Sequence, residues 1–145
     1  MKKLNKVIAV CFILMTVISA SSAIASAAGN YTDTYVTTKY DGSGDHIYTP
    51  SREKQDYTSA YCKNLATSET DLAHVWVIQS KTKQTQIGNS GNIATVGTPP
   101  KIVIGQAKYL PNYVKENSCN YCNLHIEPRS HNKVWIRIAW SPDSI

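Results

Sequence analysis

Four side chains of the kind that hold zinc lie within thirteen residues: Cys119, Cys122, His125 and His131. Two thiolates and two imidazoles are a ligand set that zinc favours. A zinc finger, however, places about a dozen residues between its cysteine pair and its histidine pair, enough to build a hairpin and a helix. Here only Asn123 and Leu124 separate Cys122 from His125. The competing use of these residues is a disulfide through one of the cysteines, with the histidines on a polar loop, and in an exported chain it outweighs the metal. No strand–helix context surrounds the Cys-x-x-Cys, so a thioredoxin-like redox role is weaker still. No metal or other cofactor is assigned.

Other chemistries have less support. Asp41, Ser43 and Asp45 alternate as in a calcium loop, but an EF-hand needs glycine at its sixth position and glutamate at its twelfth. Those positions hold His46 and Arg52, so a solvated turn is expected. His74 could serve as a base beside Cys62 or an acid, yet it falls in an apolar run, where a hydrogen-bonded structural histidine is the simpler reading. Glu53, Asp56, Glu69 and Asp71 lie in polar segments that read as surface, and no hydrolase elbow, phosphate loop or zinc-protease helix is present. No catalytic residue is assigned. The nine tyrosines and three tryptophans remain. Exposed aromatic rings on a sheet can bind sugars, peptides or lipid interfaces, although burial is the default for Trp76 and Trp140.

The elements that must position these groups read as strands. Residues 31–40, rich in Tyr, Thr and Val, suit a pleated half-buried surface. A Gly-containing turn at 41–45 leads to a strand-like pattern at 46–49. Residues 57–62 and 73–79 read as strands joined by a polar connection at 64–71, and 81–92 as a loop. A further strand is expected at 101–104, and 106–115 has room for one helical turn interrupted by Pro111. At 133–140, Val134, Ile136, Ile138 and Trp140 share one face while Trp135, Arg137 and Ala139 share the other, as in a half-buried antiparallel strand. Short strands between turn signals, without a long amphipathic helix, predict an all-β domain, an antiparallel β-sandwich or open barrel.

The chain opens with Lys2, Lys3 and Lys6, an apolar stretch from Val7 to Ile18, and small residues ending Ala25-Ser26-Ala27. That order predicts a signal peptide over 1–27, cleaved after Ala27, and a secreted single domain over 28–145. The apolar stretch falls short of the roughly 20 residues that span a bilayer, and no later run approaches that length. Cys11, at the start of the stretch, leaves with the leader. Without the leader's three lysines the formal net charge falls from +5 to +2. The remaining basic residues are spread thinly along the chain, which argues against a nucleic-acid partner. Three cysteines remain, Cys62, Cys119 and Cys122, so a disulfide from Cys62 to Cys119 or Cys122 is expected, with one thiol left over. Which of the two pairs is open.

Two carboxy-terminal stretches carry a resemblance: Lys108-Tyr109-Leu110-Pro111-Asn112-Tyr113-Val114-Lys115-Glu116-Asn117 and the terminal Trp140-Ser141-Pro142-Asp143-Ser144. With a looser Arg-x-Lys-x-x-Tyr-Thr-Ser-x-Tyr pattern at Arg52 to Tyr61, they resemble a family of small secreted proteins of Gram-positive bacteria, domain of unknown function 2712. That family has no established activity, so no site residue transfers from it. The resemblance implies a setting near bacteriocin-type transporters. Together with the residues, it leads to the expectation of a secreted, non-enzymatic β-domain, bacteriocin-like or bacteriocin-associated, that binds a cell-surface component or peptide. A small secreted hydrolase acting on an extracellular polymer is the alternative.

Overall fold

The computed structural model describes residues 29–41, 46–88, 92–130 and 133–145. The expected leader with Cys11, the Gly42–Asp45 part of the first turn, and His131 lie outside them. Nine strands run through the described residues: β1 (Thr34–Tyr40), β2 (Ile47–Tyr48), β3 (Arg52–Glu53), β4 (Ala60–Thr67), β5 (Asp71–Ser80), β6 (Ile102–Val103), β7 (Ala107–Leu110), β8 (Tyr121–Pro128) and β9 (Val134–Ser141). They form two antiparallel sheets. Sheet A has the order β1-β9-β4-β7 and sheet B the order β2-β8-β5-β6, with β3 also pairing with β8. Neither sheet closes on itself, so the architecture is a sandwich rather than an open barrel.

Alternation sets the faces. In β9, Val134, Ile136, Ile138 and Trp140 are buried while Trp135 and Arg137 face solvent. In β5, Val75 and Val77 enter the core, and His74 and Trp76 point outward. Leu124 and Ile126 of β8 meet them, and Ile102, Leu110 and Val114 complete the same cluster. Each such side chain contributes about 1.5–3 kcal/mol when taken fully out of water.

Three expectations need correction. The 64–71 connection is largely strand: β4 runs to Thr67 because Asn64, though polar, is buried and donates to the Ile102 carbonyl at 3.0 Å. Residues 107–110 form strand β7, paired with β4 in the register Tyr61–Tyr109. A single helix-like turn, with Asn117 N–H donating to the Tyr113 carbonyl at 2.9 Å, follows Pro111. Cys122 and His125 lie not in a loop but in β8, an interior strand of sheet B, paired with β5 on one side and with β2 and β3 on the other. The chain crosses from sheet B to sheet A at turn 103–106, where Gln106 N–H reaches the Val103 carbonyl and Gly105 adopts φ 81°, a conformation that costs a side-chain-bearing residue energy.

Candidate functional site

The strand geometry of β8 separates the expected metal ligands. Residues three apart on a strand face opposite sides, so Cys122 enters the core between the sheets while His125 lies on the outer face of sheet B. Among the described residues, no group of three or more His, Cys, Asp or Glu side chains is placed to hold a metal. Cys62, on β4 in the opposite sheet, Cys119 and Cys122 are all buried and are free thiols. The expected bridge from Cys62 to Cys119 or Cys122 is therefore absent from the structure. Burial pushes the Cys122 thiol up to about 12, with Lys54 and Arg52 opposing and Asp143 adding, and it raises Cys62 further. Such thiols are poor nucleophiles. All three thiols are buried and should react with a disulfide reagent only after denaturation. Peptide mapping under non-reducing conditions that finds Cys62 linked to Cys119 or Cys122 would restore the bridge.

On the outer face of sheet B, Tyr48, His125 and Trp76 lie side by side across β2, β8 and β5, in direct register. Their rings stack at 4.7 Å and 4.9 Å, tilted 31° and 35°, and His46 meets the His125 ring edge-on at 4.1 Å. His125 is 3% exposed, and neither ring nitrogen has a hydrogen-bond partner. Burial, then the neighbouring His46, hold its pKa down at about 4 against an opposing pull from Glu127. His74 is exposed rather than buried and pairs through Nδ1 with Glu127 Oε2 at 2.6 Å; it does not face Cys62. Ile78 and Ile87 are each buried outside the main core, and Asn123 donates to the Thr49 and Ile87 carbonyls.

The two halves of the resemblance meet in space. Lys54, 1% exposed, donates from Nζ to the carbonyls of Thr58 and Pro142 and to Asp143 Oδ1 at 2.7 Å. The other carboxylate oxygen of Asp143 accepts from the backbone N–H groups of Asn30 and Gln55. Arg52 donates to the Trp140 carbonyl and lies 5.5 Å from that indole ring, while Ser144 N–H reaches Thr58 Oγ1. The Arg52-to-Tyr61 stretch and the Trp-Ser-Pro-Asp-Ser tail are therefore one buried polar knot that fastens the carboxy terminus across the end of the sandwich. That is a structural role.

Three of the four carboxylates weighed as acids for hydrolysis, Asp56, Glu69 and Asp71, are likewise held by structural partners. Asp56 accepts from Thr58 and Tyr31. Glu69 accepts from the backbone of Arg129 and Ser130. Burial would raise Asp71, but hydrogen bonds from Lys101 and Thr70 and the charges of Lys101 and Arg129 outweigh it and hold its carboxyl below the ordinary range.

The feature that composition alone left unplaced is a tyrosine surface on the outer face of sheet A. Tyr61 of β4 stands opposite Tyr109 of β7, ring centroids 5.9 Å apart. With Tyr31 and Asp33 they line an open cleft of about 180 Å3 that ends at Ser144 and Ile145. Tyr31 is oriented by its hydroxyl, which donates to Asp56 at 2.8 Å. Tyr35 on β1, 67% exposed, extends the aromatic area along the same face. Desolvation, helped by Asp33, raises the Tyr61 phenol; tyrosine rings are amphipathic, with apolar bodies and hydrogen-bonding tips.

No curated protein and no solved structure matches the chain. A family model described as "Protein of unknown function (DUF2712)" matches residues 22–144, reaching well upstream of the carboxy-terminal segments that carry the resemblance. By that match the chain belongs to the DUF2712 family of proteins of unknown function.

Proposed function

We propose that the mature chain is an exported, non-enzymatic binding domain that holds a cell-surface or peptide partner on the outer face of sheet A. The observation that carries this reading is the cleft lined by Tyr31, Tyr61 and Tyr109, with exposed Tyr35 beside it. Tyrosine is enriched among residues that dominate binding energy, because a large amphipathic ring loses little conformational freedom on contact. A bacteriocin-like or bacteriocin-associated role is the finer form of the same proposal.

The protein purified from culture medium should begin at Ala28 and should sediment with producing cells. The Tyr61→Ala/Tyr109→Ala pair should weaken that binding by on the order of a thousandfold, the scale of two hot-spot aromatics at about 2 kcal/mol each. His74→Ala, on the outer face of the other sheet, should leave it unchanged. Recovery only from membranes with residues 1–27 intact would sink export, and unaltered binding by the tyrosine pair, with folding verified by thermal unfolding, would remove this face from the site.

A further inference from the structure

We propose that the outer face of sheet A docks on an anionic phospholipid surface; this rests on the reading of that face as the binding surface and names its partner. The strand register brings together three cations distant in sequence. Tyr35 of β1, Ala139 of β9 and Lys63 of β4 lie in one row, Thr37 and Arg137 in the next, and Lys39 and Trp135 in the third. Lys39, Lys63 and Arg137 have no carboxylate within ion-pair distance among the described residues, unlike Lys54, Lys101 and Arg129. At the Trp135 end, Lys39, Lys133 and Trp135, with one acid, Asp41, line a shallow recess of about 350 Å3.

The strand positions on the opposite outer face differ, and the cations flanking that sheet, Lys101 and Arg129, are paired with Asp71. On the outer face of sheet B the strand positions hold Glu53 and Glu127 and no lysine or arginine. The domain is thus polarised, with its unpaired strand cations on one broad face. That face also carries Tyr35 (67% exposed), Tyr109 (61%) and Trp135 (42%). Tyrosine and tryptophan prefer the boundary between headgroups and acyl chains, and lysine and arginine are drawn to anionic headgroups. A broad sheet face offering both fits a planar, negatively charged, part-apolar partner.

The test is co-sedimentation of the mature protein with vesicles of phosphatidylcholine alone or mixed with phosphatidylglycerol. Binding is expected only to the mixed vesicles and should fall steeply with added salt. Replacing Lys39, Lys63 and Arg137 by glutamine should weaken partitioning by about a hundredfold, from about fivefold per cation near the surface. Lys81→Gln/Lys83→Gln, which removes two charges from the exposed residues 81–86, should change it little. Equal binding to both vesicle types, full binding by the triple variant, or binding to soluble polyphosphate but not to vesicles would each overturn the proposal. Cells that still capture the protein through its tyrosines while mixed vesicles do not would overturn the lipid partner and leave the binding face standing. Failure with both cells and vesicles would remove both.

Discussion

Replacing Lys54 by methionine should destabilise the domain by about 3–5 kcal/mol, the usual cost of removing one partner from a buried ion pair. The variant keeps most of the side-chain volume, so the loss reports the stranded charge. Asp143 is fully buried, and without Lys54 it retains mainly the backbone N–H groups of Asn30 and Gln55. The carbonyls of Thr58 and Pro142 lose their donor at the same time. Against a total stability on the order of 5–15 kcal/mol this is a large fraction. Asp143→Asn should cost less, because the buried ammonium keeps Asp56 as a more distant countercharge at 3.8 Å. The Lys54→Met/Asp143→Asn pair should cost much less than the sum of the two, since neither stranded charge remains. Urea unfolding of the four proteins measures the cycle. Additive losses would show that the two groups do not stabilise each other and that the tail is held by its backbone contacts.

Lys54 also shows why part of this molecule was illegible in its sequence. Lysine is almost never fully buried unless paired, and the partner lies 89 residues away. Nothing local at Arg52 to Tyr61 marks it as core. The tyrosine–cation face was hidden the same way: Lys39, Lys63 and Arg137 look thinly spread along the chain, and only the pairing of β1, β9 and β4 gathers them. By contrast β9 and β5 were legible, because apolar residues at every second position leave one way to bury them. The sandwich class followed from those two runs and the short, turn-bounded segments between them. β8 carried the same signal in Cys122, Leu124 and Ile126, all fully buried. The ligand-like spacing of its cysteines and histidines drew attention from that alternation. The polar Asn123 and His125 on its other side looked like loop because their burial depends on Ile87, Tyr48 and Trp76, which arrive from elsewhere in the chain.

The buried His125 leads to an acid-sensitive stability. Its imidazole ionises at about 4 in the folded domain, below the ordinary value of 6.5, because charging it would place a cation between Tyr48 and Trp76 with no hydrogen-bond acceptor for either ring nitrogen. Between those two values the unfolded chain binds the proton and the folded domain does not. Stability contributed by neutral His125 is therefore complete above pH 6.5 and drains away as the pH falls towards 4, below which it changes no further. The loss amounts to on the order of 2–4 kcal/mol, since each tenfold drop in proton affinity on folding is worth about 1.4 kcal/mol. The groups facing the ring act on the same balance: His46 disfavours the charge and Glu127 favours it. Asp56 and Asp71, whose carboxyls are held below the ordinary 3.8, keep their stabilisation through this range and lose it mainly as the pH falls below about 4. His125→Phe separates the contributions, because phenylalanine preserves a ring in the stack and cannot titrate. Unfolding free energies measured from pH 8 to pH 4, a window set by linkage, should fall more steeply for the parent protein than for the variant. The two curves should diverge below pH 6.5, the ordinary value for a histidine. Parallel curves would mean that the imidazole accepts its proton without disturbing the stack, and that His125 is not the source of acid sensitivity in this window.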